Sequence, residues 1–169
     1  GKVLGEDTAK IDVVFNNLSL LDDLTPLTKT LRDQPAKLQD VFDEISRETD
    51  ETFKAEVLSM FNSLVQTYIN QPARLNAIFK KGNFDYLFDV NELTTLIGSN
   101  NAQVELLFDN IDKSYDILLI ANRFEGTKRD QVLAQIGDLL LSPVMTEASR
   151  NAIFENPSIL EMKLNLILK

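Results

Sequence analysis

The residues best suited to chemistry in this chain are acidic, and they lie in two short segments. Glu48, Asp50 and Glu51 place three carboxylates within four positions, a spacing that suits a cation or a carboxylate pair. The segment 109–114 begins like a calcium loop, but it has Ile at the third position and no Gly at the sixth. Acids also favour the first turn of a helix, so helix starts and capped turns explain both segments without chemistry.

Composition narrows the classes of function further. The chain has no His and no Cys, which excludes thiolate metal sites, disulfides and His-based nucleophile activation. Gly126 and Lys128 lack the upstream Gly of a phosphate-binding loop and follow no strand. We therefore predict a non-enzymatic chain with no catalytic residue, metal or cofactor. An enzyme would need the acids of 48–51 and 109–116 to converge in a pocket.

Charge and hydropathy bear on the partners. The formal net charge is −9 with acids spread along the chain, which disfavours nucleic acid and anionic membranes as partners. A hydrophobic content of 44% is typical of a folded domain. The apolar runs are too short to cross a bilayer, and we expect a soluble protein. The first residue is Gly1, and we expect the chain to be part of a longer protein.

The spacing of apolar residues is helical throughout. Residues 11–21 and 53–65 follow the i, i+3, i+4, i+7 pattern, and extended strand-type alternation is absent. Prolines 26, 35, 72, 143 and 157 each suit the first position of a helix, and Gly82, Gly98 and Gly126 suit helix ends. The pattern predicts an all-α fold. The predicted helices are 8–24, 26–33, 35–47, 50–70, 72–81, 84–97, 101–111, 114–124, 128–141, 144–154 and 157–168.

Two blocks recur along the chain. The first reads Gln-Pro-Ala with an apolar-Phe pair, at 34–42 and 71–79, and Asn-Ala-Ile-Phe occurs at both 76–79 and 151–154. The second appears when 84–93 is laid over 115–124, where aromatic, Asp, apolar, Leu, apolar and Asn coincide. This alignment pairs Asp85 with Asp116 and Asn91 with Asn122. A helix-start role explains the acids, and either packing within a stack or peptide binding explains the asparagines.

The recurrence predicts stacked helical hairpins of about 30 residues, because one hairpin cannot bury its own apolar side. We expect one domain over 1–169, with capping helices at 1–33, a repeat core at 34–155 and a final helix at 156–169. An irregular helical bundle is the alternative. The repeat-matched aromatic residues are expected in the core: Phe42, Phe61, Phe79, Phe84, Tyr86, Phe88, Phe108, Tyr115, Phe124 and Phe154.

The Asp-anchored apolar helix, the polar turn 125–131 and the following Val-Leu helix resemble the helical repeats, about 30 residues long, of secreted effectors of intracellular bacteria. They are more loosely similar to armadillo and HEAT solenoids. The resemblance covers about 70–155. It implies a protein secreted into the host cytoplasm that contacts host proteins. The chain departs from armadillo in lacking three-helix units, so that family's peptide-binding asparagines are not carried over.

In such a stack, binding residues are those that differ between copies. We predict a protein–protein interaction module whose acidic surface favours a basic partner. A membrane-surface module remains an alternative if the basic residues 80, 81, 128 and 129 meet on one face. A helical domain regulating an attached enzyme and a structural scaffold are further alternatives. The predicted partner-binding residues lie on turns and helix ends: Lys80, Lys81, Asn83, Asn91, Arg123, Lys128 and Arg129.

Overall fold

A computed structural model describes residues 20–98, 100–140 and Ala148, without the side chains of 137–140. All regular elements in this part of the chain are helical, which confirms the all-α prediction. The chain divides into two compact units, Gly1–Phe84 and Asp85–Lys169. The division falls inside the range predicted as one repeat core.

The first unit is organised around one long helix. Helix α3 packs against α1, α2 and α4, and it contributes more buried side chains to the shared core than any other described helix of this unit. The ring of Phe61 on α3 stacks on Phe79 at 5.6 Å and meets Phe84 edge-on at 5.8 Å. The helices are α1 Leu21–Thr30, α2 Pro35–Arg47, α3 Glu51–Tyr68 and α4 Pro72–Ile78.

Helix starts in this unit follow the sequence at two prolines and depart from it at a third. Pro35 and Pro72 are the first residues of α2 and α4, as predicted. The helix predicted at 26–33 instead runs from Leu21 to Thr30, with Pro26 inside it. Leu24 and Leu27 are buried on either side of Pro26, so one apolar face continues through the proline and keeps the helix intact.

The acidic segment before α3 is a helix start. The carboxylate of Asp50 accepts a hydrogen bond from the backbone N–H of Phe53 at 2.9 Å, which caps α3. Glu51 in the first turn forms an ion pair with Lys54 at 2.8 Å. Both carboxylates therefore stabilise the N-terminus of α3.

In the described part of the second unit, four α-helices are joined by short turns. Helix α5 packs against α6 and α7, and α8 packs against the same two helices. The helices are α5 Leu87–Ile97, α6 Asn101–Asp109, α7 Ser114–Ala121 and α8 Gly126–Leu140. The helix predicted from residue 84 begins at Leu87, because Lys81–Tyr86 form a 3-10 helix. A shorter one, Ile111–Lys113, precedes α7.

Helices α5 and α7 run parallel, and two hydrogen bonds show their register. The hydroxyl of buried Ser114, the first residue of α7, donates to the carbonyl oxygen of Tyr86 just before α5, at 3.4 Å. Farther along both helices, Nδ2 of Asn122 donates to Oε1 of Glu92 at 3.4 Å. The contacts occur in the same order along both helices, so their directions agree.

The helices that carry the copies 84–93 and 115–124 thus lie side by side, yet the copies are not equivalent. Asn91 lies inside α5, whereas Asn122 follows the last residue of α7. The matched asparagines therefore occupy different structural positions. The stacking of hairpins into a solenoid stays a prediction.

Several predicted elements lie outside the described residues. They include most of the helix at 8–24, the helices at 144–154 and 157–168, and the second Asn-Ala-Ile-Phe copy with Phe154. Within the described helices, none is both long and apolar enough to cross a membrane.

Candidate interaction surface

The seven predicted partner-binding residues fall in two different units. Lys80, Lys81 and Asn83 belong to the first unit, and the other four belong to the second. Lys80 and Lys81 are exposed. Asn83 is half-buried and donates from Nδ2 to the carbonyl oxygen of Ala77 at 2.8 Å. Asn83 therefore satisfies a carbonyl in the last turn of α4, which is a structural task.

Arg129 also has a structural task. The Nε–H group of Arg129 donates to the carbonyl oxygen of Phe124 at 2.8 Å and to that of Ala121 at 3.0 Å. These carbonyls lie at and just beyond the end of α7, where unpaired carbonyls and the helix dipole favour a cation. Nζ of Lys128 lies 5.2 Å from the ring centroid of buried Phe124. Lys128 and Arg123 are exposed beside this turn.

Asn91 is partly buried, and its position does not suit direct contact with a partner. Its Oδ1 atom is buried and has no hydrogen-bond partner among the described residues. The backbone carbonyl of Asn91, by contrast, accepts a hydrogen bond from the hydroxyl of Thr95 at 3.2 Å. The side chain is thus a poorly satisfied polar group inside the helix layer.

Large apolar side chains are exposed in the second unit, contrary to the prediction that matched aromatics fill the core. Tyr115 is 58% exposed, Phe88 40% and Leu119 36%. Helical periodicity identifies apolar residues without saying whether a second helix covers them, so the sequence signal is the same for core and surface. Phe42, Phe61, Phe79 and Phe124 are buried, as predicted.

The exposed residues form two parallel stripes. On α7, Tyr115, Leu119 and the following Asn122 are spaced i, i+4, i+7, while most other residues of that helix are buried. On α5, the exposed residues are Phe88, Glu92 and Thr95, with the same spacing. The Asn122–Glu92 hydrogen bond joins the stripes at one level, so Phe88 and Leu119 lie about one turn before it on the same side. We call these six residues the α5–α7 face.

The segments that carry the α5–α7 face are rich in acidic residues. Residues 85–97 and 111–122 contain five acids and a single basic residue, Lys113. Nζ of Lys113 lies 3.4 Å from a carboxylate oxygen of Asp112. The acids are Asp85, Asp89, Glu92, Asp112 and Asp116.

Two of these carboxylates show the effect of the local surroundings on their ionisation. Burial raises the pKa of Asp89 above its ordinary value, and the negative charge of Glu92 adds to the increase. Burial also raises the pKa of Asp116, while the positive charge of Lys113 partly opposes the shift. Both shifts report negative charge that is incompletely solvated and incompletely neutralised.

The described residues contain no group of three or more side chains suited to hold a metal ion. Comparison with protein-family models, with curated proteins and with solved structures finds no match for this chain.

Proposed function

We propose that this chain is a protein-interaction module and that its α5–α7 face binds the partner. The observation that carries the proposal is the pair of exposed stripes, joined by the Asn122–Glu92 hydrogen bond. Exposed aromatic and aliphatic side chains bordered by polar groups are typical of surfaces that bury against another protein. Tyr115 is the expected anchor, because tyrosine is enriched among residues that dominate binding energy.

The partner in this proposal is a protein with a basic surface. The segments 85–97 and 111–122 contain five acids, including the face residue Glu92, and one lysine that already has a carboxylate beside it; exposed Arg123 directly follows them. A cationic partner offsets the repulsion between Asp89 and Glu92 and speeds encounter through the long-range field. We propose a host protein as this partner, an expectation that rests on the resemblance to bacterial effector repeats.

The membrane-surface alternative has less support. It requires residues 80, 81, 128 and 129 to present free positive charge on one face. Arg129 is half-buried and uses its Nε to bond two carbonyl oxygens. Moving this guanidinium to a lipid headgroup would break both bonds.

Affinity capture with matched variants tests the proposal. The tagged 169-residue chain, a Tyr115→Ala/Leu119→Ala variant and a Phe53→Ala variant are incubated in parallel with host-type lysate. Phe53 is the matched control, because it is an exposed aromatic residue of the first unit. Each captured protein is then purified and titrated directly by isothermal calorimetry.

We expect at least one purified protein to bind the parent chain and the Phe53→Ala variant equally, and the double variant about tenfold or more weakly. The proposal fails if every captured protein binds all three chains alike, or if none binds when purified. Circular dichroism must show that the double variant stays folded.

A further inference from the structure

We infer that the segment bound at the α5–α7 face is an amphipathic helix with Lys or Arg beside its apolar stripe. This inference rests on the proposed function and adds the conformation and charge pattern of the ligand. It concerns residues of the second unit alone.

The helical conformation of the ligand follows from the secondary structure of the face. The described residues contain no strand, so this surface has no open sheet edge that could pair with an extended peptide. Two parallel helices in contact leave a furrow between their ridges of side chains, and a third helix packs into such a furrow. Helix-in-groove docking is therefore the mode that the backbone of this face supports.

The two stripes also suggest how long the ligand is. Phe88 to Thr95 and Tyr115 to Asn122 each span seven residue steps, or about 10 Å at the rise of an α-helix. A ligand helix of about two turns covers this length. A third turn reaches the acids at the flanks, so the expected ligand has roughly 10–12 residues.

The separation of apolar and polar residues on the face predicts which ligand side chains lie over each part. Phe88 precedes Glu92 on α5, and Tyr115 and Leu119 precede Asn122 on α7, so the three apolar residues lie on one side of the hydrogen-bonded pair. Apolar ligand residues at i and i+4 therefore belong over the first group. A polar ligand side chain belongs at the second.

The charge near the face predicts the charge of the ligand. Asp85 and Asp89 lie on the α5 side, and Asp112 and Asp116 lie on the α7 side. Acids thus follow both helices, and Lys113 is the single basic residue in these segments. A ligand with Lys or Arg on both sides of its apolar stripe matches this distribution, because each cation meets a carboxylate while the apolar stripe meets the rings.

The test is a selection from displayed random 16-residue peptides on the full chain. The library is first depleted on a Tyr115→Asp/Leu119→Asp variant, which removes peptides that bind elsewhere. Enriched sequences are synthesised with a fluorophore, and their affinity is measured by anisotropy at low and moderate salt. Circular dichroism of the mixture reports whether the peptide becomes helical on binding.

We expect enriched peptides to carry apolar residues at i and i+4, a polar residue about one turn farther along, and Lys or Arg on both sides of the apolar pair. Leu119→Asp should weaken binding at least about tenfold, and Asp89→Asn with Asp116→Asn about three- to tenfold. Glu105→Gln on α6, an exposed acid of the same unit, should leave affinity unchanged. Helical dichroism should increase on mixing, and added salt should weaken binding.

Peptides that require Tyr115 and Leu119 but are neutral, acidic or not helical when bound would overturn the inference and leave the proposed function standing. If no enriched peptide depends on Tyr115 and Leu119, the inference fails. Lysate capture then decides the proposed function separately, because a folded partner does not depend on short peptides.

Discussion

Asn122 donates a hydrogen bond from Nδ2 to Oε1 of Glu92 at 3.4 Å, and this bond joins two helices that run parallel. Asn122 directly follows α7, and Glu92 lies in the middle of α5. Both side chains are exposed, so the bond lies on the surface and aligns the residues that precede it on each helix. Phe88, Tyr115 and Leu119 become one face because of this alignment.

Substitutions on the α5–α7 face should separate binding from stability. Tyr115→Ala should change the free energy of unfolding by at most about 0.5 kcal/mol, because the side chain is mostly exposed. Ile120→Ala on the buried side of α7 should lower it by about 2–5 kcal/mol, since it leaves a cavity. Urea denaturation of both variants measures the difference. Equal losses would show that Tyr115 belongs to the core.

Arg129→Ala should destabilise the second unit. The substitution leaves the carbonyl oxygens of Ala121 and Phe124 without their charged donor, which should lower the free energy of unfolding by about 1–3 kcal/mol. Lys128→Ala removes only an exposed cation–π contact and should cost about 0.5–1 kcal/mol. Thermal unfolding compares the two variants. An Arg129→Ala protein of unchanged stability would return Arg129 to the partner-binding set.

The backbone at Gly98 predicts a sharp contrast between glycines. Gly98 ends α5 with φ at +56°, a region that other residues rarely adopt, although a Cβ atom there would meet nothing within 4 Å. Gly98→Ala should therefore lower stability by about 1–2 kcal/mol through backbone strain alone. Gly82 has equal space and no positive φ, so Gly82→Ala should be neutral or slightly stabilising. Chemical denaturation distinguishes them.

The two shifted carboxylates predict a specific pH response. Carboxyl NMR titration should give pKa values for Asp89 and Asp116 above the ordinary 3.8. Glu92→Gln should lower the pKa of Asp89, because it removes a negative charge that adds to the shift, and Lys113→Gln should raise that of Asp116 further, because it removes a positive charge that opposes the shift. Unchanged pKa values in both variants would contradict the assigned causes.

The sign of the linked stability follows from these directions. A carboxyl whose pKa is higher in the folded state opposes folding when ionised. The penalty from Asp116 is therefore present above the folded pKa and disappears as pH falls toward 3.8. Asp116→Asn should raise the midpoint of thermal unfolding relative to the parent most at neutral pH, and the gain should shrink on acidification.

Asn91→Leu should raise the free energy of unfolding by about 1 kcal/mol. It removes a buried oxygen that has no partner among the described residues and replaces a poor helix former in the middle of α5. Equilibrium urea denaturation checks the value. A loss of stability would show that the amide group makes a hydrogen bond the helix needs.

Helix formation was predictable because it depends on local chemistry. Apolar spacing marked the helices, and Pro35 and Pro72 marked two of their starts. These determinants involve residues that are close together in the chain, so a helix can be predicted from them without knowledge of the tertiary structure. Pro26 misled the prediction because burial of Leu24 and Leu27 outweighs the local preference of proline for a helix start.

The proposed binding surface could not be predicted from the sequence, because it depends on contacts between residues that are distant in the chain. Sequence alone determined that the chain is helical, acidic and without His or Cys. Only the tertiary structure decided that Tyr115 and Phe88 are exposed, and that Arg129 and Asn83 bond backbone carbonyls. The physical reason is that helical periodicity defines which residues share a face, whereas burial depends on which helix packs against that face.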